Sequence, residues 1–590
     1  MRKIRDRFLT HPLFPVVLSI LAMLLVLPSV WTGWQQDDLV HRYFLLGYPD
    51  YKGDTVSPLE LFHFLSGDPE RSRALMDLGL IPWWTLETVR LSFWRPLTGI
   101  TQWVDYLLWP QSGPMMHLQS LFWFGAVVMA ATLFYRRYMG ATWVAGLAAL
   151  FYAIDDAHGL PAGWLASRNA LLCILFGLLV LFFHDRWRRD GWRAGAYIAP
   201  IFLLLGLLSG ESTLGVIAYL LAYALVLDPG TWRGKLRSLV PYAAITLSWF
   251  TYYRLQGHGA WGSGFYTDLM SEPIRFALAF AVRAPILLLD QWAIPPSSLI
   301  FLLPAEGVPI FSLAALTFLV LITVLLFPLL RQDKLARFFA LGMVLSVPLI
   351  CSVMPHSRLL FFVGIGGMGL LALWMGGLTD RAAWVPAGRS WRIPARVLFV
   401  LFILIHLVIA PLLLPGASAS ADFAERYIQR PAESEVLRGD LTGQDLVIVN
   451  PPMAFQAHYL PTARLLNGQT VPRRLRVLAS GLTELEISRP DDRSLLVRPE
   501  GGYLNQPFDE VFRGPAHPMS LGERVELTDM SVEVTELTED GCPAEALFEF
   551  PFPLEDAELK WVKWEDGKYV PFVIPAIGDT VDLPAIPLEF

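Results

Sequence analysis

Residues 13–30 read LFPVVLSILAMLLVLPSV, and residues 34–41 read WQQDDLVH. The first stretch is apolar and long enough to cross a lipid bilayer as a helix. The second stretch places two adjacent carboxylates, Asp37 and Asp38, just beyond the end of that helix. An acidic side chain beside hydrocarbon is costly unless it faces water, a cavity or a cation. The pair therefore either begins a solvated loop or belongs to a site at the membrane surface, where carboxylates suit general-base or metal-assisted chemistry.

The overall composition is that of a membrane protein with many crossings. Hydrophobic residues make up 54% of the chain, charged residues make up 17%, and the mean hydropathy is +0.45. The net charge of −7 leaves no basic footprint, so nucleic acid is not an expected partner. Cys173, Cys351 and Cys542 have no paired spacing, which argues against a disulfide framework or a thiolate metal site.

About eleven segments are long enough to cross, or nearly cross, a bilayer. They lie near 13–31, 116–135, 141–155, 164–184, 195–209, 212–228, 238–256, 308–330, 337–354, 359–378 and 395–414. The basic residues between alternate segments mark one cytoplasmic side. They are Arg2, Lys3, Arg5, Arg7, Arg136, Arg137, Arg186, Arg188, Arg189, Arg193, Arg233, Lys235, Arg237, Arg331, Lys334, Arg337, Arg381, Arg389, Arg392 and Arg396.

An odd number of crossings then places the N-terminus in the cytoplasm and the C-terminal region outside. We expect an integral protein of the bacterial inner membrane, in contact with membrane lipids and carrying a periplasmic domain. The N-terminus imitates a signal peptide, but no small-residue cleavage site follows the apolar run, so we interpret it as a retained membrane helix. The charged apolar segment Ile274 to Trp292 would break the alternation as a crossing, and we interpret it as an interfacial or re-entrant helix.

The loop between the first two crossings, residues 31–115, is far longer than an ordinary connection, and such loops are commonly functional. Pro58 to Leu65 and Ile81 to Trp84 are amphipathic or aromatic, and we expect them to lie in the membrane interface. The loop ends near Arg95 and is followed by His117. With the aspartate pair at its other end, this loop predicts a site for a phosphate-bearing lipid.

Further polar clusters fall on the same predicted face, at the outer ends of later crossings. Their members are Asp155, Asp156, His158, Arg168, Asn169, Glu211, His356 and Arg358. Each cluster alone can be read as ordinary loop charge or as a helix cap, since Asp155 and Ser209 are suitable capping residues. Together with the first loop, they predict one polar cavity at the outer membrane surface.

The ordered set of these residues resembles the membrane-embedded glycosyltransferases of the GT-C fold, and among them the O-mannosyltransferases that carry tetratricopeptide repeats. The likeness covers roughly the first 380 residues. It departs from the family in two motifs and in the absence of the repeats, which leaves the sugar and the acceptor open. The matching elements are Asp37–Asp38, Arg95–Thr98, His117–Leu118, Gly146–Val180 with Arg168, Gly210–Ser212 and Ser357–Leu359.

The resemblance implies transfer of a sugar from a polyprenyl-phosphate-linked donor to a protein, lipid or polysaccharide acceptor on the outer face. Asp37 would be the general base, and Asp38 would orient it, bind sugar hydroxyls or share a divalent cation, a cofactor that stays open. Five residues are candidates to bind the leaving phosphate: Arg95, Arg168, Arg358, His117 and His356.

Other interpretations compete with this one. Arg95 could be a snorkelling interfacial residue, and Arg168 could pair with Asp155 or Asp156. For the whole chain, the alternatives are a transporter or flippase for a glycolipid, and a scaffold that keeps the GT-C-like fold without activity.

The predicted domains are residues 1–416, which hold the membrane helices, and residues 421–590, which are polar and rich in alternating strands. We expect a mostly β domain with some α/β character around 422–480. The stretch Glu565–Lys568 predicts a type I′ hairpin turn because Asp-Gly accepts positive φ. Asp491–Asp492 predicts a turn. A basic cluster is interpreted as a solvated face: Arg464, Arg473, Arg474 and Arg476.

Overall fold

The computed structural model of the chain describes residues 2–304, 306–420 and 425–587. The predicted limits of the C-terminal domain, 421 and 590, lie outside the described residues. Within them, the apolar segments fold as helices because a helix pairs every interior backbone group internally, as hydrocarbon demands. Interior prolines such as Pro200, Pro241 and Pro328 lie within these helices.

In the described residues, five helices are both long and apolar enough to cross a membrane. They are Gly113–Met139, Leu165–Asp190, Gly307–Gln332, Phe361–Asp380 and Arg389–Ala419. Four apolar helices are shorter: Phe14–Leu25, Trp143–Ala153, Gly195–Leu207 and Glu211–Val226. Trp232–Leu255 and Lys334–Ile350 complete the set that overlaps the predicted segments. Each of the eleven segments is therefore helical over most of its length, whereas eleven membrane crossings stay a prediction.

The helices that overlap the predicted segments pack together and are called the helical body below. Helix Phe361–Asp380 lies at its centre and is packed through glycines. A Cβ on Gly366 would lie 2.5 Å from the Phe339 carbonyl oxygen, and a Cβ on Gly369 would lie 2.9 Å from the Phe339 ring. Small residues let membrane helices approach this closely. The hydroxyl of Tyr219 also donates to the Phe362 carbonyl at 2.5 Å, where the neighbouring helix packs against this one.

The segment that breaks the predicted alternation forms the helix Pro273–Trp292. Its Arg283 is buried, and the guanidinium donates to the Cys351 carbonyl at 3.0 Å. The helix thus packs through a charged residue against the helical body, while its interfacial or re-entrant placement stays a prediction.

Residues 31–115, the predicted first outer loop and called the first outer loop below, are folded throughout. It contains the helices Asp37–Leu45, Pro69–Leu78 and Pro96–Leu108. Its strands β1 (His63–Ser66) and β2 (Arg90–Ser92) form an antiparallel three-stranded sheet with β3 (Gly259–Trp261). The predicted interfacial piece Pro58 to Leu65 is a 3-10 turn followed by β1, and its apolar Leu61, Phe62 and Leu65 are buried within the protein.

The C-terminal region contains two sheets. The strands are β4 (Asp445–Ile448), β5 (Arg474–Val477), β6 (Leu485–Ser488), β7 (Ser494–Pro499), β8 (Arg524–Leu527), β9 (Met530–Leu537), β10 (Pro543–Glu549), β11 (Leu559–Glu565), β12 (Lys568–Pro571) and β13 (Thr580–Leu583). The four-stranded sheet has the order β12-β11-β4-β5, and the six-stranded antiparallel sheet has the order β13-β6-β7-β10-β9-β8.

The sequence signals in this region are largely confirmed. β4 and β5 run parallel and are joined through the helices Ala454–Ala457 and Leu460–Leu466, which is the predicted α/β character. Asp566 and Gly567 both have positive φ between β11 and β12, as a type I′ hairpin requires. Asp491 lies in the turn between β6 and β7, where its carboxylate accepts from the Arg493 N–H at 2.8 Å.

The basic cluster is not a solvated face. Arg464 and Arg476 are 2% exposed, and their guanidinium groups donate to backbone carbonyls, including Ala432 at 2.7 Å and Asp77 at 2.6 Å. Alternation and charge alone do not distinguish a surface cation from one that ties loop carbonyls inside a domain.

The C-terminal domain is docked firmly on the first outer loop. Trp83 and Trp84, which the sequence places in the membrane interface, are instead 3% and 1% exposed and belong to the apolar core of the C-terminal domain. Their indole N–H groups donate to the carbonyls of Leu478 at 3.2 Å and Asp509 at 3.3 Å. The prediction failed because an aromatic pair suits a membrane interface and a protein interface equally well.

We expect Trp84→Ala to destabilise the docking of the C-terminal domain on the first outer loop. Removing a buried indole from a packed core costs about 3–5 kcal/mol. The measurement is the free energy of unfolding of the detergent-solubilised protein. The matched control is Trp232→Ala, because Trp232 is 60% exposed and its removal should leave the unfolding free energy nearly unchanged. Equal effects of the two substitutions would contradict the docking role.

Candidate functional site

A cavity of about 1720 Å³ lies where the helical body, the first outer loop and the C-terminal domain meet. Of the twelve candidate site residues, four line it: Asp37, Asp156, His356 and Arg358. The loops after the first helix, before helix Leu165–Asp190 and before helix Phe361–Asp380 therefore contribute to one cavity. The remaining candidates are not part of the cavity wall: Asp38, Arg95, His117, Asp155, His158, Arg168, Asn169 and Glu211.

Asp37 is the first residue of the helix Asp37–Leu45 and is half-buried at the cavity. Its Oδ1 accepts a hydrogen bond of 2.8 Å from the hydroxyl of Tyr459, a residue of the C-terminal domain. Burial raises the pKa of Asp37, while the Tyr459 hydrogen bond and the charges of Arg358 and Arg95 oppose that rise. The group is thus a carboxyl whose pKa lies nearer to neutrality than that of an exposed aspartate.

Asp38 points away from the cavity and is 2% exposed. Its two carboxylate oxygens accept from the backbone N–H groups of Gln35 at 3.0 Å and Ala166 at 2.6 Å. Asp38 therefore fastens the start of its helix to the loop before helix Leu165–Asp190. The expectations that it orients Asp37, binds sugar hydroxyls or shares a cation stay predictions.

Arg358 supplies a cation to the cavity. Its guanidinium lies 5.3 Å from the centre of the Trp164 ring, and it forms no salt bridge with any carboxylate of the described residues. Burial lowers the pKa of Arg358, and the nearby Tyr266 and Asp37 oppose this. Arginine keeps its charge under such shifts, so Arg358 brings a positive charge near Asp37.

His356 lies beside Arg358 on the cavity wall. Burial and the charge of Arg358 lower the pKa of His356 to about 3, so the imidazole is neutral at physiological pH. Its Nδ1 accepts from the Arg358 backbone N–H at 3.2 Å. The other nitrogen, Nε2, then carries the proton and can donate to a ligand.

Arg95 is paired and does not snorkel at the membrane surface. Its Nε donates to Glu211 Oε2 at 2.9 Å, and the hydroxyl of Tyr253 donates to the other Glu211 oxygen at 3.1 Å. Arg95 is neutralised locally, although its charge still reaches Asp37. Arg95 and Glu211 thus lie outside the cavity wall, where the Arg95 guanidinium packs on the ring of Phe93, a wall residue.

Arg168 is fully buried and has a partner that the sequence did not indicate. Its guanidinium lies 2.6 Å from Asp105 and also donates to the Ser120 hydroxyl and to the carbonyls of Thr101 and Met116. Four of its five N–H groups are thus engaged, and its carboxylate partner is Asp105 rather than Asp155 or Asp156. Burial raises the pKa of Asp105 to about 6, while Arg168 opposes this.

The other candidates from the sequence also have structural contacts. His117 bonds to the Gly33 carbonyl at 2.8 Å, and Asp155 caps the short turn Asp156–His158 by accepting from the Ala157 N–H at 3.2 Å. His158 is buried against the Phe361 ring at 4.4 Å. Asn169 is buried at the start of its helix. Ser209 does not cap, because its hydroxyl donates back to the Leu205 carbonyl.

Asp156 is half-buried on the cavity wall, and burial raises its pKa. Throughout residues 2–304, 306–420 and 425–587, no group of three or more His, Cys, Asp or Glu side chains is arranged to hold a metal ion. A divalent cation shared by Asp37 and Asp38 stays a prediction.

Two further residues of the cavity wall, Tyr459 and Tyr266, are not among the residues that the sequence analysis identified. Tyr459 reaches Asp37 across 422 positions of the chain through the docking of two domains. Tyr266 interacts electrostatically with Arg358 and Asp37. Single tyrosines carry no motif, so only the tertiary structure identifies these two.

No protein-family model matches the chain, and no curated protein matches it. Among solved structures, it is similar to the crystal structure of the Archaeoglobus fulgidus oligosaccharyltransferase tethered with an acceptor peptide containing the NVT sequon via a disulfide bond. The TM-score is 0.35 and the sequence identity is 13% over 80% of this chain. The match spans 65% of the length of that enzyme's chain.

We expect Asp105→Leu to destabilise the protein, because it leaves the buried Arg168 without its counter-charge. Breaking a buried ion pair from one side costs about 3–5 kcal/mol. The double variant Asp105→Leu/Arg168→Met should recover much of this loss in the free energy of unfolding, since it removes both charges. If Arg168→Met alone were as stable as the unmodified protein and weakened only phosphate binding, the structural role of the pair would be wrong.

Proposed function

We propose that the chain is an integral membrane glycosyltransferase. It moves a sugar from a polyprenyl-phosphate-linked donor to an acceptor hydroxyl, with Asp37 as the general base. The observation that carries the proposal is that one cavity contains both a carboxylate and a cation. The Asp37 carboxylate and the Arg358 guanidinium line it and interact electrostatically, and Arg358 has no salt bridge to a carboxylate of the described residues. The first is suited to accepting a proton, and the second to binding a phosphate.

In the proposed reaction, the acceptor hydroxyl gives its proton to Asp37 as its oxygen forms a bond to the anomeric carbon of the donor sugar. The bond between that carbon and the phosphate oxygen breaks, and the polyprenyl phosphate leaves with the electron pair. Negative charge grows on the leaving phosphate, so fixed donors aimed at it lower the barrier. Arg358 and the Nε2–H of His356 are two donors on the wall that could bind this phosphate.

The apolar side of the cavity supports a lipid donor. Leu302, Leu412 and Leu413 line the cavity and are 59%, 73% and 50% exposed. Trp164 and Leu160 continue this apolar wall toward Arg358. An apolar surface that begins outside the protein and ends at a cation matches a molecule with a hydrocarbon tail and a phosphate head.

The competing transporter function has less support. Transporter sites lie near the middle of the membrane, between repeats and at interrupted helices. Here the charged wall residues lie in the loops at the ends of helices, against the C-terminal domain. An inactive scaffold would share this geometry, and a measurement of sugar transfer by the unmodified protein distinguishes it from an enzyme.

We expect Asp37→Asn to reduce sugar transfer by about 10²–10⁴-fold, because an amide cannot take the acceptor proton. The assay follows release of polyprenyl phosphate from a panel of polyprenyl-phosphate sugars by the nanodisc-reconstituted protein, using mass spectrometry. The matched control is Asp54→Asn, an exposed carboxylate of the same loop.

Both variants should express and bind undecaprenyl phosphate like the unmodified protein. Full transfer by Asp37→Asn would remove the assignment of the base. A lack of transfer by the unmodified protein with every donor and acceptor tried would favour the scaffold.

We expect Arg358→Gln to act at two levels. It removes a donor to the leaving phosphate, which should lower kcat by about 10²–10³-fold. It also removes a positive charge that opposes the rise in the pKa of Asp37. A base acts only when it is ionised, so the acid limb of the pH–rate profile should move to higher pH. A lower kcat with an unmoved acid limb would show that Arg358 does not act on Asp37.

A further inference from the structure

The C-terminal domain contributes a side chain to the carboxylate that is proposed as the base. Tyr459 lies directly before the helix Leu460–Leu466, and its hydroxyl donates to Asp37 Oδ1 at 2.8 Å. We propose that Tyr459 is a positioning residue that fixes the orientation of Asp37 and stabilises its ionised form. This inference rests on the proposed function, and it makes the C-terminal domain a part of the catalytic apparatus.

Both ends of this hydrogen bond are on packed elements. Leu39, in the helix that begins with Asp37, forms a small apolar cluster with Ile428 and Ala463 of the C-terminal domain. The side-chain amide of Gln429 also donates to the Trp34 carbonyl at 2.8 Å. The helix that carries Asp37 is thus held against the helix that follows Tyr459.

The Tyr459 ring is itself held in place. It packs edge-on against Phe455, with 5.8 Å between ring centres. Phe455 stacks on Phe508 at 5.6 Å, and Phe508 stacks on Phe301 of the helical body at 5.4 Å. Because this row of rings crosses from one domain to the other, the position of the hydroxyl depends on the docked state.

Several charged and polar groups near Asp37 influence its ionisation together with the Tyr459 hydrogen bond. Arg358 and Arg95 bring positive charge to Asp37, Asp38 brings negative charge, and Tyr266 adds a further hydroxyl nearby. Among the described residues, Tyr459 provides the one hydrogen bond that reaches the Asp37 carboxylate. It engages Oδ1, which leaves Oδ2 for the acceptor hydroxyl.

The Tyr459 phenol keeps its own proton and acts as the hydrogen-bond donor to Asp37. Burial and the adjacent Asp37 raise the pKa of Tyr459 well above its ordinary value, so the phenol stays protonated and remains a donor. A hydrogen bond to the charged form of an acid favours that form. Tyr459 therefore keeps Asp37 available as a base at a pH where burial alone would leave more of it protonated.

The test substitution is Tyr459→Phe, which keeps the ring and removes the hydroxyl. We expect the acid limb of the pH–rate profile to rise by about 1 pH unit, with about a tenfold loss of kcat below the limb and little change in the KM for the donor. A readout without turnover is the infrared band of the protonated Asp37 carboxyl, assigned by its absence in Asp37→Asn. Its titration midpoint should rise by a similar amount.

The matched control is Tyr43→Phe. Tyr43 lines the same cavity, but its hydroxyl donates to the Pro49 carbonyl at 2.9 Å and not to Asp37. This substitution should leave the acid limb and the infrared titration unmoved. A shift of equal size in both variants would attribute the effect to the cavity in general and overturn the inference.

A folded Tyr459→Phe protein with an unmoved infrared titration would also overturn it, even if activity fell equally at every pH. The proposed function fails separately, because Asp37→Asn would then keep its transfer activity. In that case the infrared titration still reports whether Tyr459 controls the ionisation of Asp37.

Discussion

The docking of the C-terminal domain on the first outer loop is the constraint on which the cavity depends. Trp83 and Trp84 belong to the loop by sequence but to the core of the C-terminal domain by packing. The carboxylate of Asp77 accepts from the Thr528 N–H at 2.6 Å, and the Gly79 carbonyl bonds to His458 at 2.7 Å. Gly79 also has no room for a side chain, since a Cβ there would lie 1.9 Å from the Leu475 carbonyl oxygen. Without these contacts the cavity would lose one wall, and Asp37 would lose its hydrogen-bond donor.

Asp37 and Asp38 have different surroundings because they are the first two residues of one helix and point in different directions. Asp37 is directed to the cavity, whereas Asp38 accepts from two backbone N–H groups. Neighbouring positions on a helix point about 100° apart, so one residue can face the site while the next anchors the loop behind it. Of the two adjacent carboxylates, one therefore lines the cavity and the other is hydrogen-bonded to the backbone. The helical body follows the same pattern, with cations such as Arg168 neutralised inside and Arg358 left available in the cavity.

The sequence predicted what depends on local pattern and missed what depends on pairing at a distance. Apolar length located the helices, and the Asp-Gly turn located the hairpin between β11 and β12, because both signals are encoded within a few residues. The partner of Arg168 was missed because Asp105 sits in a loop helix whose placement no local signal determines. Tyr459 was missed for the same reason. The predicted alternation of crossings assigns the loops of Asp37, Asp156 and Arg358 to one side, and all three residues line one cavity.

The size of the cavity bears on how many molecules it holds. Sites for a single small ligand commonly enclose about 300–1,000 Å³, whereas this cavity encloses about 1720 Å³. A transfer between two substrates needs room for both at once, with the reacting atoms held together at one point. The apolar wall at Leu412 and Leu413 occupies one side, and the surface between the first loop and the C-terminal domain occupies another. Asp37 lines the space that these walls share, which is the position that the proposed base needs to serve an acceptor from one side and a donor from the other.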